Sequence, residues 1–117
     1  MEAAQAISPE HATGKASGVL DFTHLVRQTL GDSLLEREIL QLFMRQSTIL
    51  LQGLENPLSR ERQVIAAHTL KGSARAVGAW RVAQAAESVE ACPDDGALAV
   101  LRKRVEEVNA AIVEVLA

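Results

Sequence analysis

The chain has 117 residues, 48% of them hydrophobic and 23% charged, which suits one compact domain and excludes a large multidomain enzyme. Its 12 Lys and Arg against 15 Asp and Glu give a net charge of −3, so the basic excess of a general nucleic-acid binder is missing. The single cysteine, Cys92, can make no internal disulfide, no apolar run reaches the roughly 20 residues that span a bilayer, and no secretion signal opens the chain, so a cytoplasmic protein is expected.

Residues 1–18 are rich in Ala, Ser, Gly, Thr and Gln and are expected to form a flexible tail, because they offer too little burial to offset the entropy of ordering. In residues 19–117, Gly31-Asp32, Gly53 with Asn56-Pro57, Gly78 and Pro93-Asp94-Asp95-Gly96 divide the sequence into five segments, all helical by pattern. The first, 21–30, opens on Asp21 as N-cap and carries Phe22, Leu25, Val26 and Leu30 at helical spacing. The second starts from Asp32 as N-cap and is expected to bury Leu35, Ile39, Leu42, Phe43, Ile49 and Leu50, with Leu40, Met44 and Leu51 beside them. The third runs from about Pro57, which suits a first helical turn, to Val77, with Gly78 placed to end it in the left-handed conformation.

The fourth segment, 79–91, presents Val82, Ala83, Ala86 and Val89 before Pro93 stops it. In the fifth, Leu98, Leu101, Val105, Val108, Ile112 and Val115 alternate steps of three and four, the seam of a bundle. No segment alternates apolar and polar residues over a strand length. The expected fold is therefore all-α: an up-down-up-down four-helix bundle with a short extra N-terminal helix, monomeric because one bundle can bury these seams.

The third segment carries the chemistry. At about 100° per residue, Ala66, Leu70, Ala74 and Val77 line its core side, Ser73 sits at the border, and His68, Lys71, Gly72 and Arg75 gather on the solvent side with Val64 and Ile65 flanking them. A glycine inside a helix costs up to about 1 kcal/mol relative to alanine, and one turn after His68 it leaves a ring nitrogen open to a bulky reactant. Lys71 and Arg75 put positive charge near anything anionic on His68, and residues 62–86 contain Arg62, Lys71, Arg75 and Arg81 without one Asp or Glu. A locally basic face on an acidic chain points to an acidic partner.

The string His68-Thr69-Leu70-Lys71-Gly72-Ser73-Ala74, followed by Gly78-Ala79, closely resembles the signature of histidine-containing phosphotransfer (HPt) domains of bacterial phosphorelays, and the likeness extends from about residue 20 to the C-terminus. The resemblance implies a four-helix bundle whose exposed histidine takes a phosphoryl group from the phospho-aspartate of a receiver domain and passes it to another. It further implies His68 as phosphoacceptor, Lys71 as stabiliser of the phosphoryl charge, Gly72 as the source of access and Ser73 as a hydrogen-bonding residue. Receiver domains and a hybrid histidine kinase are the implied partners; Mg²⁺ is expected on the receiver and no cofactor on this chain. The chemistry is sound in itself, since a neutral imidazole is a competent nucleophile near pH 7 and its phosphoramidate remains a donor. Trp80, directly after Gly78-Ala79, departs from the family pattern and reads as a packing residue at the start of the fourth helix.

Other classes find less support. No glycine-rich nucleotide motif is present, so the chain can carry a phosphoryl group but is not an autonomous kinase. A di-iron bundle needs Glu-x-x-His pairs, and Ile65 stands where the glutamate before His68 would be. The segment after Gly78 makes a poor DNA-recognition helix, with Arg81 as its basic residue and then Glu87 and Glu90. The alternative that remains is a helical docking protein that binds or inhibits a receiver or kinase through the same face without using His68 chemically.

Overall fold

The computed structural model describes residues 18–55 and 59–117; the tail expected at 1–18 and the helix start expected at Pro57 fall almost entirely outside them. Five helices follow one another: α1 (Phe22–Thr29), α2 (Ser33–Glu55), α3 (Arg60–Val77), α4 (Trp80–Ala91) and α5 (Asp95–Leu116). Four begin on a short polar side chain that takes up an otherwise unpaired backbone N–H. Asp21 accepts from His24 at 3.0 Å, Asp32 from Leu35 at 3.0 Å, Ser59 from Arg62 at 3.1 Å and Asp94 from Ala97 at 2.7 Å. Each such cap is worth about 1 kcal/mol. Ser59 therefore sets the start of α3 at Arg60.

Short connections force antiparallel neighbours: Leu30 to Asp32, Gly78 and Ala79, and Cys92 to Asp94 are all that separate consecutive helices at three of the four junctions. Contacts close the ring. Arg37 at the start of α2 donates to Leu116 O at the end of α5 (3.0 Å), Arg102 of α5 pairs with Glu55 at the end of α2, and Gln63 of α3 donates to Leu54 O (3.3 Å). Helices α2 to α5 thus form an up-down-up-down four-helix bundle, α2 packing on α3 and α5, and α4 on the same two. Helix α1 lies across α2 and α3, burying Phe22 and Leu25, and the preceding Val19 and Leu20 are buried as well.

The core confirms the seam of α5, where Leu101, Val105, Val108 and Ile112 are buried with Leu98 and Val115 packed at its ends. On α4 Val82, Ala83, Ala86 and Val89 are buried as expected, and Ala85 joins them. On α3 the line runs through Ala67, Leu70, Ala74 and Val77, with Ala66 at its margin. Helix α2 corrects the reading: Leu35, Leu42 and Ile49 are 39%, 43% and 66% exposed, while Glu36, Leu40, Phe43, Ser47 and Leu54 face the core. The true stripe is interrupted by two polar residues. Both are paired: Thr29 Oγ1 lies 2.9 Å from Glu36 Oε2, and Ser47 Oγ accepts from Asn109 Nδ2 at 3.2 Å, tying α2 to α1 and to α5. A buried polar group that keeps its partner fixes register, because sliding one helix would leave it unpaired.

Candidate functional site

Helix α3 presents its polar side between α2 and α4. His68 stands there with its side chain 68% exposed, Gly72 and Arg75 are exposed beyond it, and Ile65 is 59% exposed alongside half-buried Val64. The two-residue turn at Gly78 and Ala79 brings α4 back antiparallel, so the end of α4 lies against the middle of α3. That return places Glu90 beside His68: Glu90 Oε2 is 2.7 Å from His68 Nδ1, and Lys71 Nζ donates to Glu90 Oε1 at 2.7 Å.

One carboxylate thus holds two members of the predicted constellation. Glu90 is kept below the usual carboxylate range, first by the hydrogen bond from the Lys71 ammonium and then by the one from the His68 ring. Ionised, it can only accept, so Nδ1 must carry the proton it shares with Glu90. In the neutral ring the lone pair then resides on Nε2, which no hydrogen bond from the described residues engages.

Gly72 leaves the approach to that nitrogen open. A Cβ built there meets nothing within 4 Å. Helical side chains lean toward the N-terminus, so any larger residue at 72 would lean back over His68. Lys71 is less free than its place on the exposed side suggested, with its side chain 13% exposed and its ammonium on Glu90. Ser73 is half-buried at the border of the face, and its hydroxyl makes no hydrogen bond among the described residues.

Glu90 is the residue that the sequence-based reading passed over as a site member. It lies 22 residues from His68 on another helix, and the signals it gave were its place in the Glu87 to Glu90 end of the fourth helix, part of the family likeness, and its position next to the buried Val89. Trp80 packs at the start of α4 as expected, though it stays 45% exposed: its indole N–H donates to Asp21 Oδ2 at 2.9 Å, and its ring meets His24 edge-on at a centroid distance of 4.9 Å. Asp21, in turn, donates its backbone N–H to Gly78 O at 2.9 Å and caps α1. The short helix is thereby pinned to the turn that aligns α3 with α4.

Fold and site define a class: a four-helix bundle that displays one histidine on an open helix face, with no glycine-rich nucleotide motif. The family model of the Hpt domain matches residues 38–117, and the chain belongs to that family. Neither a search of curated proteins nor a search of solved structures found a match. The matched span holds most of α2 and all of α3 to α5, hence every residue of the His68, Lys71, Gly72 and Glu90 cluster. Membership supports histidine phosphotransfer in phosphorelays as the general activity, with receiver domains and histidine kinases as the kind of partner. Among the described residues, no helix is long and apolar enough to cross a membrane.

Proposed function

We propose that His68 is the phosphoacceptor of this chain, taking a phosphoryl group from the phospho-aspartate of one receiver domain and passing it to another. The observation that carries the reading is the bond between His68 Nδ1 and the ionised Glu90, which directs the ring's lone pair to the exposed Nε2. In the transfer, that lone pair attacks phosphorus, the N–P bond forms, the P–O bond to the aspartate breaks, and the carboxylate departs with the bonding pair. The positive charge that develops on the ring is met by Glu90 through the Nδ1 proton. Lys71, held on the other oxygen of the same carboxylate, keeps a positive charge close to the phosphoryl oxygens, and Gly72 leaves room for them. Mg²⁺ belongs to the receiver in this scheme and the present chain supplies no cofactor. Exposed Ile65 and Arg75, with half-buried Val64 beside them, border the same approach and serve as partner contacts.

The test is transfer of radiolabel from a panel of phosphorylated receiver domains to the unaltered chain and to His68→Gln. Acid-labile, alkali-stable label that His68→Gln lacks is the expected result. Receivers that bind but never transfer would instead establish the docking protein, and label retained by His68→Gln would place the acceptor elsewhere.

A further inference from the structure

Beyond Lys71, the groove between α3 and α4 opens into a cleft of about 410 Å³ lined by Arg75, Trp80, Arg81, Ala83, Gln84 and Glu87. Arg75 lies two helical turns from His68 on the same side of α3, so the cleft adjoins the reactive histidine along the path a docked partner would cover. Three features set it apart from ordinary surface. Arg75 and Arg81 are exposed and neither makes an ion pair among the described residues, whereas Lys71 is paired with Glu90. Arg75 and Arg81 against Glu87 give the lining residues one net positive charge, on a chain whose total is −3, with Arg81 also bordering the neighbouring groove beside Gly18 and Val19. Trp80 is 45% exposed yet held in place by its bond to Asp21 and its contact with His24, so binding against it would cost little side-chain entropy.

We propose that this cleft is a partner-selecting subsite, in which Arg75 and Arg81 grip an acidic segment of the receiver domain against the fixed face of Trp80 while His68 exchanges the phosphoryl group. The proposal rests on the phosphotransfer reading of His68 and adds to it where specificity resides. Guanidinium groups suit carboxylates because their fork of N–H donors matches two oxygens, and an indole face adds apolar area and a site for stacking. The pair of arginines speeds encounter with acidic receivers, and Glu87 on the rim disfavours acidic segments that enter off register.

The experiment separates the chemistry of His68 from docking. The full chain, Arg81→Glu and Gln84→Glu are each labelled by inorganic phosphoramidate, a donor too small to need the cleft, and by a panel of purified receiver domains phosphorylated with acetyl phosphate. Phosphoramidate labelling is expected to be the same in all three. Transfer from the receivers that label the unaltered chain is expected to fall by about tenfold at low salt in both variants, with the unaltered chain losing its advantage as salt rises. Receiver transfer unchanged in both variants overturns the subsite and leaves the phosphotransfer reading intact. Failure of every receiver to label the unaltered chain also overturns it, and if phosphoramidate fails as well, the reading of His68 falls with it.

Discussion

Gly72 lies inside α3 and Gly78 caps its end six residues on, and the missing side chain does opposite things at the two places. Gly78 serves the fold. Its φ is +80°, and a Cβ there would come within 2.8 Å of Asp21 O, in the very contact where Asp21 N–H bonds to Gly78 O and locks α1 onto the α3–α4 turn. Gly72 has ordinary helical backbone and empty space where its Cβ would be. Nothing among the described residues needs it. A residue that weakens its helix without any internal reason points outward, to whatever must approach His68.

The widest break in that comparison comes from filling the space at 72. Gly72→Trp is expected to lower receiver-to-His68 transfer by about a hundredfold, the scale set by misplacing reacting groups by an ångström or so, while the circular dichroism of the bundle stays helical. Transfer at the rate of the unaltered chain would show that access does not depend on Gly72. The same replacement strategy at the other glycine should act on stability. Gly78→Ala forces a left-handed alanine against Asp21 and is expected to cost about 1–3 kcal/mol in urea unfolding, with Trp80 fluorescence reporting the loosened turn. Gly72→Ala is the counterpart: it should raise stability by up to about 1 kcal/mol, because alanine is the better helix former and has room. Equal effects of the two alanines would erase the distinction.

The sequence revealed the outline of this molecule better than its contacts. Capping residues, turn glycines and prolines marked nearly every boundary, and the seam of α5 was read correctly because its buried line is unbroken by polar residues. On helix α2 the broad apolar stripe read from the sequence is split: Phe43 is buried and Ile39 and Leu50 pack against the core, while Leu35, Leu42 and Ile49 face outward. The inner stripe includes Glu36 and Ser47, which periodicity scores as gaps although both are buried with partners. Helical spacing likewise brought His68, Lys71 and Gly72 onto one face without showing what lies opposite. Which residue of α4 meets them depends on the length of the Gly78-Ala79 turn and on the depth of packing between helices, and neither is written in the spacing of a single helix. The partner of the Trp80 indole was hidden for a related reason: Asp21 is 59 residues away.

The finest distinction concerns Glu90, whose single carboxylate binds Lys71 and His68 together, and pH isolates it. Its pKa is depressed in the folded chain, so the folded state binds fewer protons there than the unfolded state. The stability it contributes is therefore present above its ordinary value of 4.5 and is lost as pH falls through the lowered folded-state value. Glu90→Gln keeps the size of the side chain and removes this titration. Urea unfolding is expected to find the variant less stable at pH 7, with the gap closing as pH drops below 4.5. The same substitution should slow phosphoryl transfer at pH 7, since an amide can accept from Nδ1–H or donate to Nδ1 and no longer dictates which ring nitrogen keeps the lone pair. A variant that loses the acid-sensitive stability but transfers at full rate would reduce Glu90 to a strut between α3 and α4; one that loses both identifies the strut as the element that aims the histidine.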